Sequence, residues 1–111
     1  MVKQGDVVKV SFDPQSGHEQ SGYRPVLVVS NNKFNSAAKL AIVCPITNTN
    51  NKFPLHVSLD ERTKTTGVVL CENVKALDLN AREHLFVEKI PKDILERVVD
   101  IIFAELDIPD N

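Results

Sequence analysis

The segment from Asp13 to Pro25 carries the residue types best suited to chemistry. It separates two apolar stretches, and connections in compact domains are usually about two to six residues long, so a longer one is often functional. His18, Glu19 and Arg24 stand close together within it. An imidazole and a carboxylate can transfer protons, and a guanidinium can bind two phosphate oxygens at once. These three side chains together predict proton transfer beside a phosphate. The simpler alternative is a solvated loop in which Glu19 pairs with Arg24.

Composition and charge indicate the number of domains and the region where a charged ligand is expected to bind. The chain has 111 residues, 42% of them hydrophobic, which suffices for one domain over residues 1–111 with its own core. Its net charge of −2 does not favour nucleic-acid binding, which usually needs a basic surface. Positive and negative side chains number three and three in residues 1–32, six and three in 33–75, and four and nine in 78–111. A polyanionic ligand is therefore expected on the first two thirds, unless the charges serve solubility alone.

The sequence indicates no membrane or secretory segment. It contains no run of about eighteen apolar residues, and its first residues lack the apolar stretch of a secretory signal. Cys44 and Cys71 each lie inside an apolar run, and two isolated thiols make neither a disulfide framework nor a zinc site. We expect a cytoplasmic protein with two buried cysteines, no metal and no cofactor.

Short apolar runs separated by turn residues predict a mostly β domain, a small barrel or sandwich. Strands are expected at Gly5–Phe12, Val26–Ser30, Leu40–Ile46, Leu55–Leu59, Val68–Cys71 and Leu85–Ile90. Asn31 and Asn32 indicate a turn or a short helical detour, and residues 78–82 could form another short helix. From Pro91 to just before Pro109, apolar residues recur at helical spacing and predict a C-terminal helix with one buried face.

Several motifs in sequence order extend the evidence beyond single residues. They are Gly5-Asp6-Val7, Phe12-Asp13-Pro14, Gly17-His18-Glu19-Gln20, Gly22-Tyr23-Arg24-Pro25, Pro45-Ile46-Thr47, Thr66-Gly67-Val68-Val69 and Leu77-Asp78-Leu79-Asn80-Ala81-Arg82. Together they resemble the MazF/PemK/Kid family of toxins over nearly the whole chain. The resemblance implies an SH3-like barrel of about five to six antiparallel strands with a C-terminal helix.

The same resemblance implies a function. Members of this family are mRNA interferases of type II toxin–antitoxin systems, which are metal-independent and sequence-selective endoribonucleases. They act on single-stranded RNA as homodimers and are silenced by a cognate antitoxin protein. Single-stranded RNA, an antitoxin and a second copy of the chain are therefore the expected partners.

Ribonuclease chemistry without a metal needs a base for the 2′-hydroxyl proton, a cation or donors for the charged phosphorane, and an acid for the leaving 5′-oxygen. Arg24 suits the second role because its guanidinium stays protonated, and the resemblance implies the catalytic arginine at this position. Thr47, by itself an ordinary strand-end residue, corresponds by resemblance to a threonine beside the scissile phosphate. The expected products are a 2′,3′-cyclic phosphate and a 5′-hydroxyl end.

Three residues compete for the role of base. Glu19 is favoured because the Glu-Gln pair belongs to the core of the family motif, whereas His18 varies among members and could assist proton transfer. Kid-like members also place an Arg and an Asp two residues apart near the end of the fifth strand, where this chain has Leu70 and Glu72. Leu70 cannot hold a phosphate, so Glu72 is either a base acting alone or a solvated strand-end charge.

Binding of unpaired bases requires hydrogen-bonding and stacking side chains. The candidates for RNA binding are Gln20, Tyr23, Asn48, Asn50 and Lys52. Phe53 could also stack on a base, but beside Pro54 it is expected in the core.

Two other functions are compatible with a small fold of this kind. One is a non-enzymatic toxin of the CcdB type that binds DNA gyrase. Toxins of that type act through a C-terminal tail containing Trp, whereas this chain has no Trp and ends at Ile108-Pro109-Asp110-Asn111. The other is a catalytically dead SH3-like binding module, which the presence of Arg24 and Thr47 makes a weaker explanation.

Overall fold

The computed structural model describes residues 1–11, 22–49 and 52–110. Its strands are β1 (Asp6–Ser11), β2 (Tyr23–Val28), β3 (Ala41–Thr47), β4 (His56–Ser58), β5 (Val68–Leu70), β6 (Lys75–Leu77) and β7 (His84–Lys89). Helix α1 (Asn32–Ala38) follows β2, a 3₁₀ turn (Cys71–Asn73) follows β5, and helix α2 (Lys92–Leu106) follows β7. The predicted mostly β architecture with a C-terminal helix is confirmed. Neither helix in these ranges has the length and apolar character needed to cross a membrane.

The seven strands form one antiparallel sheet in the order β4-β5-β3-β2-β1-β7, and β6 also pairs with β3. Strand β3 is central because different parts of it pair with β2, β5 and β6. Among the described strands, β4 and β7 do not pair with each other, so the sheet is open. The predicted SH3-like barrel is therefore a barrel only in a loose sense, because the sheet does not close.

Both faces of the central strands are buried, which explains why these strands are almost continuously apolar. On one face lies the helix-side core, formed by Val7, Leu27, Val29, Cys44, Ile46, Val57, Val69, Cys71, Ile90, Ile94 and Val98. On the other lies the outer core, formed by Val8, Val10, Val26, Val28, Ala41, Val43, Leu77 and Leu79. Each fully buried aliphatic side chain contributes roughly 1.5–3 kcal/mol through removal from water. The prediction that both cysteines are buried is confirmed.

Several predicted boundaries need correction. Strand β2 begins at Tyr23 and not at Val26, so Arg24 belongs to a strand. The prediction stopped there because Pro25, which has no N–H to donate, argues against a central strand. The end of the first strand at Phe12 lies outside the described residues.

The connections between strands also differ from expectation in two places. A helical detour after Asn31 is confirmed, since the Asn31 side chain accepts a hydrogen bond from the Phe34 N–H at 2.8 Å and caps α1. No helix forms at residues 78–82. The Asp78 carboxylate accepts hydrogen bonds from the backbone N–H groups of Asn80 and Ala81, and this turn replaces the helical pattern. Strand β6 was missed.

Charged side chains fasten the long connection between β4 and β5. Arg62 bonds to Asp60 at 2.8 Å and to Asp93 at 2.9 Å, which ties this connection to the first turn of α2. Hydrogen bonds from the guanidinium lower the pKa of both carboxyl groups. Farther along, Glu88 of β7 accepts hydrogen bonds from the backbone of Lys64 and Thr65 at 3.0 and 2.8 Å. These contacts hold in place the segment that leads into β5.

Candidate functional site

A pocket of about 610 Å³ opens where β2, β3, β5 and β6 approach one another. We call it the Arg24 pocket. Its lining residues are Arg24, Pro45, Ile46, Thr47, Thr49, His56, Leu70, Glu72 and Lys75. Side chains alternate between the two faces of a strand, so Arg24 shares a face with Val26 and Val28 of the outer core. The pocket therefore continues the outer-core face of the sheet, where apolar side chains give way to polar ones.

Arg24 reaches the pocket because β2 extends to the edge of the sheet. It pairs with Val10 of β1, and on the other side β2 pairs with β3 through Val26 and Pro45. Continuing that register by two residues places Arg24 level with Thr47. No carboxylate in residues 1–11, 22–49 or 52–110 forms an ion pair with Arg24. Its exposed guanidinium can therefore bind an anion in the pocket.

Thr47 is the last residue of β3, as predicted. Its side-chain oxygen accepts a hydrogen bond from the Thr49 N–H at 3.1 Å, which leaves the hydroxyl proton available to a ligand. Directly against its backbone lies Gly67, whose φ is +109°. A Cβ at Gly67 would stand 2.2 Å from the Thr47 carbonyl oxygen, so only glycine permits this close approach. The Thr-Gly entry into β5 thus sets the position of Thr47.

The His56 and Glu72 side chains are hydrogen-bonded to each other at the other side of the pocket. His56 Nε2 lies 3.0 Å from Glu72 Oε2, and the two side chains are 6% and 33% exposed. An ionised carboxylate can only accept, so Nε2 donates this hydrogen bond. The pair forms because His56 lies opposite Leu70 in the β4–β5 register and Glu72 follows two residues later. Phe53 packs edge-on against the imidazole with ring centroids 5.5 Å apart.

Lys75 adds a second cation to the lining. It stands on β6, the strand that the sequence did not predict, and pairs with Val43 of β3. His56 and Lys75 were both missed as site residues. A signal for His56 was present, because His56 and Ser58 alternate with apolar residues and so face away from the core. Nothing in the sequence around Lys75 distinguishes it from a surface lysine.

The structure brings together Arg24, Thr47 and Glu72, three of the five predicted catalytic residues, in one pocket. The other two, His18 and Glu19, lie outside the described residues, as do Gln20 and Asn50. The reason for the convergence is the strand register, since these three residues belong to β2, β3 and the turn after β5.

The remaining candidates for RNA binding lie elsewhere. The Tyr23 hydroxyl donates to Glu83 and is not part of the pocket lining; this hydrogen bond raises the pKa of the tyrosine. Asn48 accepts a hydrogen bond from the Thr66 hydroxyl at 2.9 Å and lines a second pocket. Lys52 is exposed, with a left-handed φ of 64°, and does not line the Arg24 pocket.

Phe53 corrects one sequence expectation. It is 42% exposed and is therefore not a core residue. Its contact with His56 explains the difference, because the ring covers the imidazole at the surface and does not turn inward.

The second pocket, of about 340 Å³, is lined by Lys9, Asn48, Lys64, Thr65, Thr66 and Val87. Asn48 directly follows Thr47, so the two pockets are neighbours along the end of β3. The linings of the two separate pockets together contain four cations, namely Lys9, Arg24, Lys64 and Lys75. Across the described ranges, no group of three His, Cys, Asp or Glu residues could hold a metal ion.

Comparison with known proteins identifies the family to which this arrangement belongs. A family model described as "PemK-like, MazF-like toxin of type II toxin-antitoxin system" matches residues 3–104. The chain belongs to this family. The match runs from the residues before β1 nearly to the end of α2, so it includes every described lining residue of both pockets.

Individual members of the PemK-like, MazF-like toxin family support the assignment. Endoribonuclease PemK of Escherichia coli is 38% identical over 102 residues, which cover 88% of this chain and 77% of that protein. The crystal structure of MazF from Deinococcus radiodurans has a TM-score of 0.81 and 33% identity, and covers 95% of this chain and 96% of that one. A MazE–MazF structure from the same organism has a TM-score of 0.81 and 28% identity, with coverage of 95% and 94%. The resemblance inferred from the motifs is confirmed, and the gyrase-binding alternative is not favoured.

Proposed function

We propose that this PemK-like, MazF-like toxin is an endoribonuclease that cleaves single-stranded RNA in the Arg24 pocket. The observation that carries the proposal is the convergence of Arg24, Thr47 and Glu72 on one pocket of about 610 Å³. These side chains supply a fixed cation, a hydroxyl donor and a carboxylate, which are the groups that cleavage of a phosphodiester requires. The relative from Escherichia coli is named endoribonuclease PemK, and this name supports the same reaction.

Arg24 and Thr47 bind the scissile phosphate. The guanidinium contacts two phosphate oxygens, and the Thr47 hydroxyl, oriented by the Thr49 N–H, donates a hydrogen bond to one of them. As the 2′-oxygen attacks phosphorus, the charge on these oxygens increases. Donors fixed in advance by strands bind the more highly charged phosphorane more strongly than the phosphodiester, and this difference accelerates the reaction.

The 2′-hydroxyl proton passes to a base, and Glu72, Glu19 and His18 are the candidates. Glu72 is favoured by its place in the pocket lining, and His18 and Glu19 belong to a segment outside the described residues. Departure of the 5′-oxygen then leaves a 2′,3′-cyclic phosphate and a 5′-hydroxyl end. No step of this scheme uses a metal ion.

Selectivity for RNA sequence comes from side chains around the pocket. The second pocket, with Asn48, Lys9 and Lys64, offers an amide for a base edge and two cations for the adjoining phosphates. Gln20, Tyr23, Asn50 and Lys52 remain candidates for further base contacts. The proposed substrate is mRNA, because an unstructured strand can place single unstacked nucleotides in pockets of this size.

The toxin is proposed to act in the cytoplasm as a homodimer, with residues 1–111 forming a single toxin domain. A cognate antitoxin protein binds it and blocks access to the Arg24 pocket. Support for such a partner comes from the MazE–MazF structure from Deinococcus radiodurans, which contains the relative with its antitoxin.

The test is incubation of the purified protein with a long unstructured RNA in the presence of EDTA. We expect discrete fragments with new 5′-hydroxyl ends. Arg24→Ala should lower the cleavage rate roughly a hundred- to a thousandfold, the usual effect of removing a donor aimed at the transition state. Arg62→Ala is the matched control, because Arg62 is exposed, is paired with Asp60 and Asp93, and does not line the Arg24 pocket, so its loss should leave the rate unchanged.

Two results would contradict the proposal. One is cleavage that stops in EDTA and returns on addition of a divalent ion. The other is intact RNA together with inhibited gyrase supercoiling, which would favour a gyrase-binding toxin.

A further inference from the structure

We propose that His56 takes part in RNA cleavage as the cationic partner of Glu72, so that the two residues work as one proton-accepting pair. This inference rests on the proposed ribonuclease function and adds to it a residue that no motif in the sequence indicated. Glu72 is the catalytic member, which meets the 2′-hydroxyl, and His56 is the positioning member, which acts through Glu72.

The geometry of the pair supports these different roles. The His56 side chain is only 6% exposed and donates from Nε2 to Glu72 Oε2 at 3.0 Å. The Glu72 side chain is 33% exposed and lines the pocket, and its hydrogen bond to His56 uses only Oε2, so we assign Oε1 to the ligand. The imidazole is therefore too enclosed to meet RNA over much of its surface, whereas the carboxylate is accessible. A buried charged group is usually paired in this way.

Strand β4 and the 3₁₀ turn after β5 hold the two residues in fixed positions. His56 begins β4 and pairs with Leu70, while Cys71, directly before Glu72, is fully buried in the helix-side core. Phe53 packs edge-on against the imidazole and restricts its rotation. A base held by strand register and aromatic packing needs little reorganisation when the substrate arrives.

The charge of the pair explains why a cation is needed beside the base. RNA brings a negative phosphodiester into the pocket, and that charge would favour protonation of a lone carboxylate. In the proposed mechanism an imidazolium lies 3.0 Å from the carboxylate, and the pair is neutral before reaction. Once Glu72 has taken a proton, the pair carries one positive charge. This change coincides with the gain of one negative charge on the phosphorane, so the pair stabilises the transition state more than the ground state.

Every proton in the proposed step has a donor and an acceptor. Glu72 Oε1 accepts the proton from the 2′-hydroxyl as the 2′-oxygen bonds to phosphorus, and the bond from phosphorus to the 5′-oxygen breaks. The 5′-oxygen takes a proton from water. Glu72 then returns its proton to solvent, and His56 keeps its own throughout.

Other charged groups also lie near the pair. From β2 and β6, Arg24 and Lys75 line the same pocket. From α2, Glu105 has its pKa raised, first by burial and then by the charge of Glu72, which places this carboxylate within electrostatic range of the pair. Arg97 of α2 acts on the neighbouring Cys71 thiol. The contribution of the pair to the cleavage rate must therefore be measured with variants of His56 and Glu72 themselves.

The first experiment compares His56→Gln, Glu72→Gln and the double variant in the EDTA cleavage assay. We expect Glu72→Gln to lower kcat roughly a hundredfold or more, as for loss of a general base. His56→Gln keeps a donor but removes the charge, and we expect a fall in kcat of about tenfold to a hundredfold. The double variant should be no worse than Glu72→Gln alone, because His56 acts through Glu72. Affinity for an RNA with a 2′-deoxynucleotide at the cleavage site, which cannot react, should stay within about twofold.

The second experiment restores the cation from the neighbouring strand. In the His56→Ala protein, Leu70→Arg places a guanidinium on the residue that faced His56 in the β4–β5 register. We expect this addition to recover most of the lost kcat in His56→Ala and none of it in Glu72→Gln.

His84→Gln is the matched control, because His84 is a half-buried strand histidine on β7 outside the Arg24 pocket. Its cleavage rate should match that of the native protein, and melting temperatures should show that all variants fold. Full activity of His56→Gln, or additive effects in the double variant, would overturn the inference while leaving the ribonuclease function intact. Failure of the native protein to cleave RNA in EDTA would instead refute the proposed function itself.

Discussion

The two faces of the central strands differ in what they contribute. Toward α2, side chains such as Leu27, Cys44 and Ile46 are buried in the helix-side core. On the opposite face the outer core ends at the Arg24 pocket, where Arg24 and Thr47 are accessible to solvent. Successive residues of β3, Ile46 and Thr47, thus point to opposite faces. The alternation of a strand separates the residues that stabilise the fold from those available for chemistry.

The difference teaches that stability and activity should respond separately to substitution. A buried aliphatic group contributes through removal of apolar surface from water, whereas an exposed charge contributes little to folding. Substitutions on the helix-covered face should lower stability without changing the rate of the folded enzyme. Substitutions in the Arg24 pocket should lower the cleavage rate without changing stability.

The largest effect is expected at Leu27, which is fully buried. Leu27→Ala should lower the free energy of unfolding by about 2–5 kcal/mol, because the neighbours cannot fill the cavity left behind. Denaturant unfolding measures the loss, and cleavage by the remaining folded fraction should be unchanged. Leu85→Ala is the control, since Leu85 is 61% exposed and its loss should change stability by less than about 0.5 kcal/mol. Equal effects at both positions would contradict the assignment of Leu27 to the core.

The complementary substitution is Thr47→Val, which keeps the branched shape and removes the hydroxyl. Loss of a hydrogen bond to a charged phosphorane corresponds to about 1.5–3 kcal/mol, or roughly a ten- to hundredfold fall in kcat. Unfolding midpoints should stay close to those of the native protein. A stable and fully active Thr47→Val protein would remove Thr47 from the mechanism.

Gly67 is the position at which one substitution should lower both stability and activity. Gly67→Ala introduces a Cβ 2.2 Å from the Thr47 carbonyl oxygen, so Thr47 must move. Forced repacking of this kind typically destabilises a protein by about 1–3 kcal/mol, and here activity should fall as well. Gly5→Ala separates the causes. Gly5 also has a positive φ, of 93°, but its nearest neighbour would lie 3.5 Å from a new Cβ, so this variant should lose stability without losing activity.

The smallest effect is expected from Arg62→Ala, which removes an exposed clamp. The Arg62 hydrogen bonds lower the pKa of Asp60 and Asp93 in the folded protein. Lowered carboxyl pKa values stabilise the fold above the ordinary Asp value of about 3.9 and lose this effect as pH falls below it. The variant should therefore show a small drop in melting temperature at neutral pH that disappears in acid. A drop that persists in acid would indicate a packing role for Arg62 instead.

The fold could be predicted from the sequence to a large extent because hydrophobic runs report directly on burial. The central strands and α2 could be predicted from apolar residues such as Val26, Val43 and Val98, which are buried in the structure. The errors fall where this signal is weak or contradicted. Strand β6 has only three residues and two of them are exposed, and Pro25 hides the start of β2.

The site could be predicted only in part, because a pocket depends on register as well as on residue type. Arg24, Thr47 and Glu72 were accessible through motifs, although Arg24 was expected in the loop before β2 and the 3₁₀ turn that carries Glu72 was not predicted. His56 meets Glu72 only because β4 pairs with β5 in one register, with His56 opposite Leu70. No periodicity within β4 alone specifies its partner. Lys75 was missed for the same reason, since it depends on the pairing of β6 with β3.

The two buried cysteines have a practical consequence for fluorescence labelling of this toxin. Burial raises the pKa of the Cys44 thiol to about 12 and that of Cys71 to about 11, and both side chains are fully enclosed. Because only a thiolate reacts readily with maleimides, the native chain should resist labelling at neutral pH. A single cysteine introduced on an exposed residue such as Asn48 would then carry a fluorophore to one defined place in the second pocket. Its emission could report arrival of RNA and of antitoxin in real time, without removal of either natural cysteine from the core.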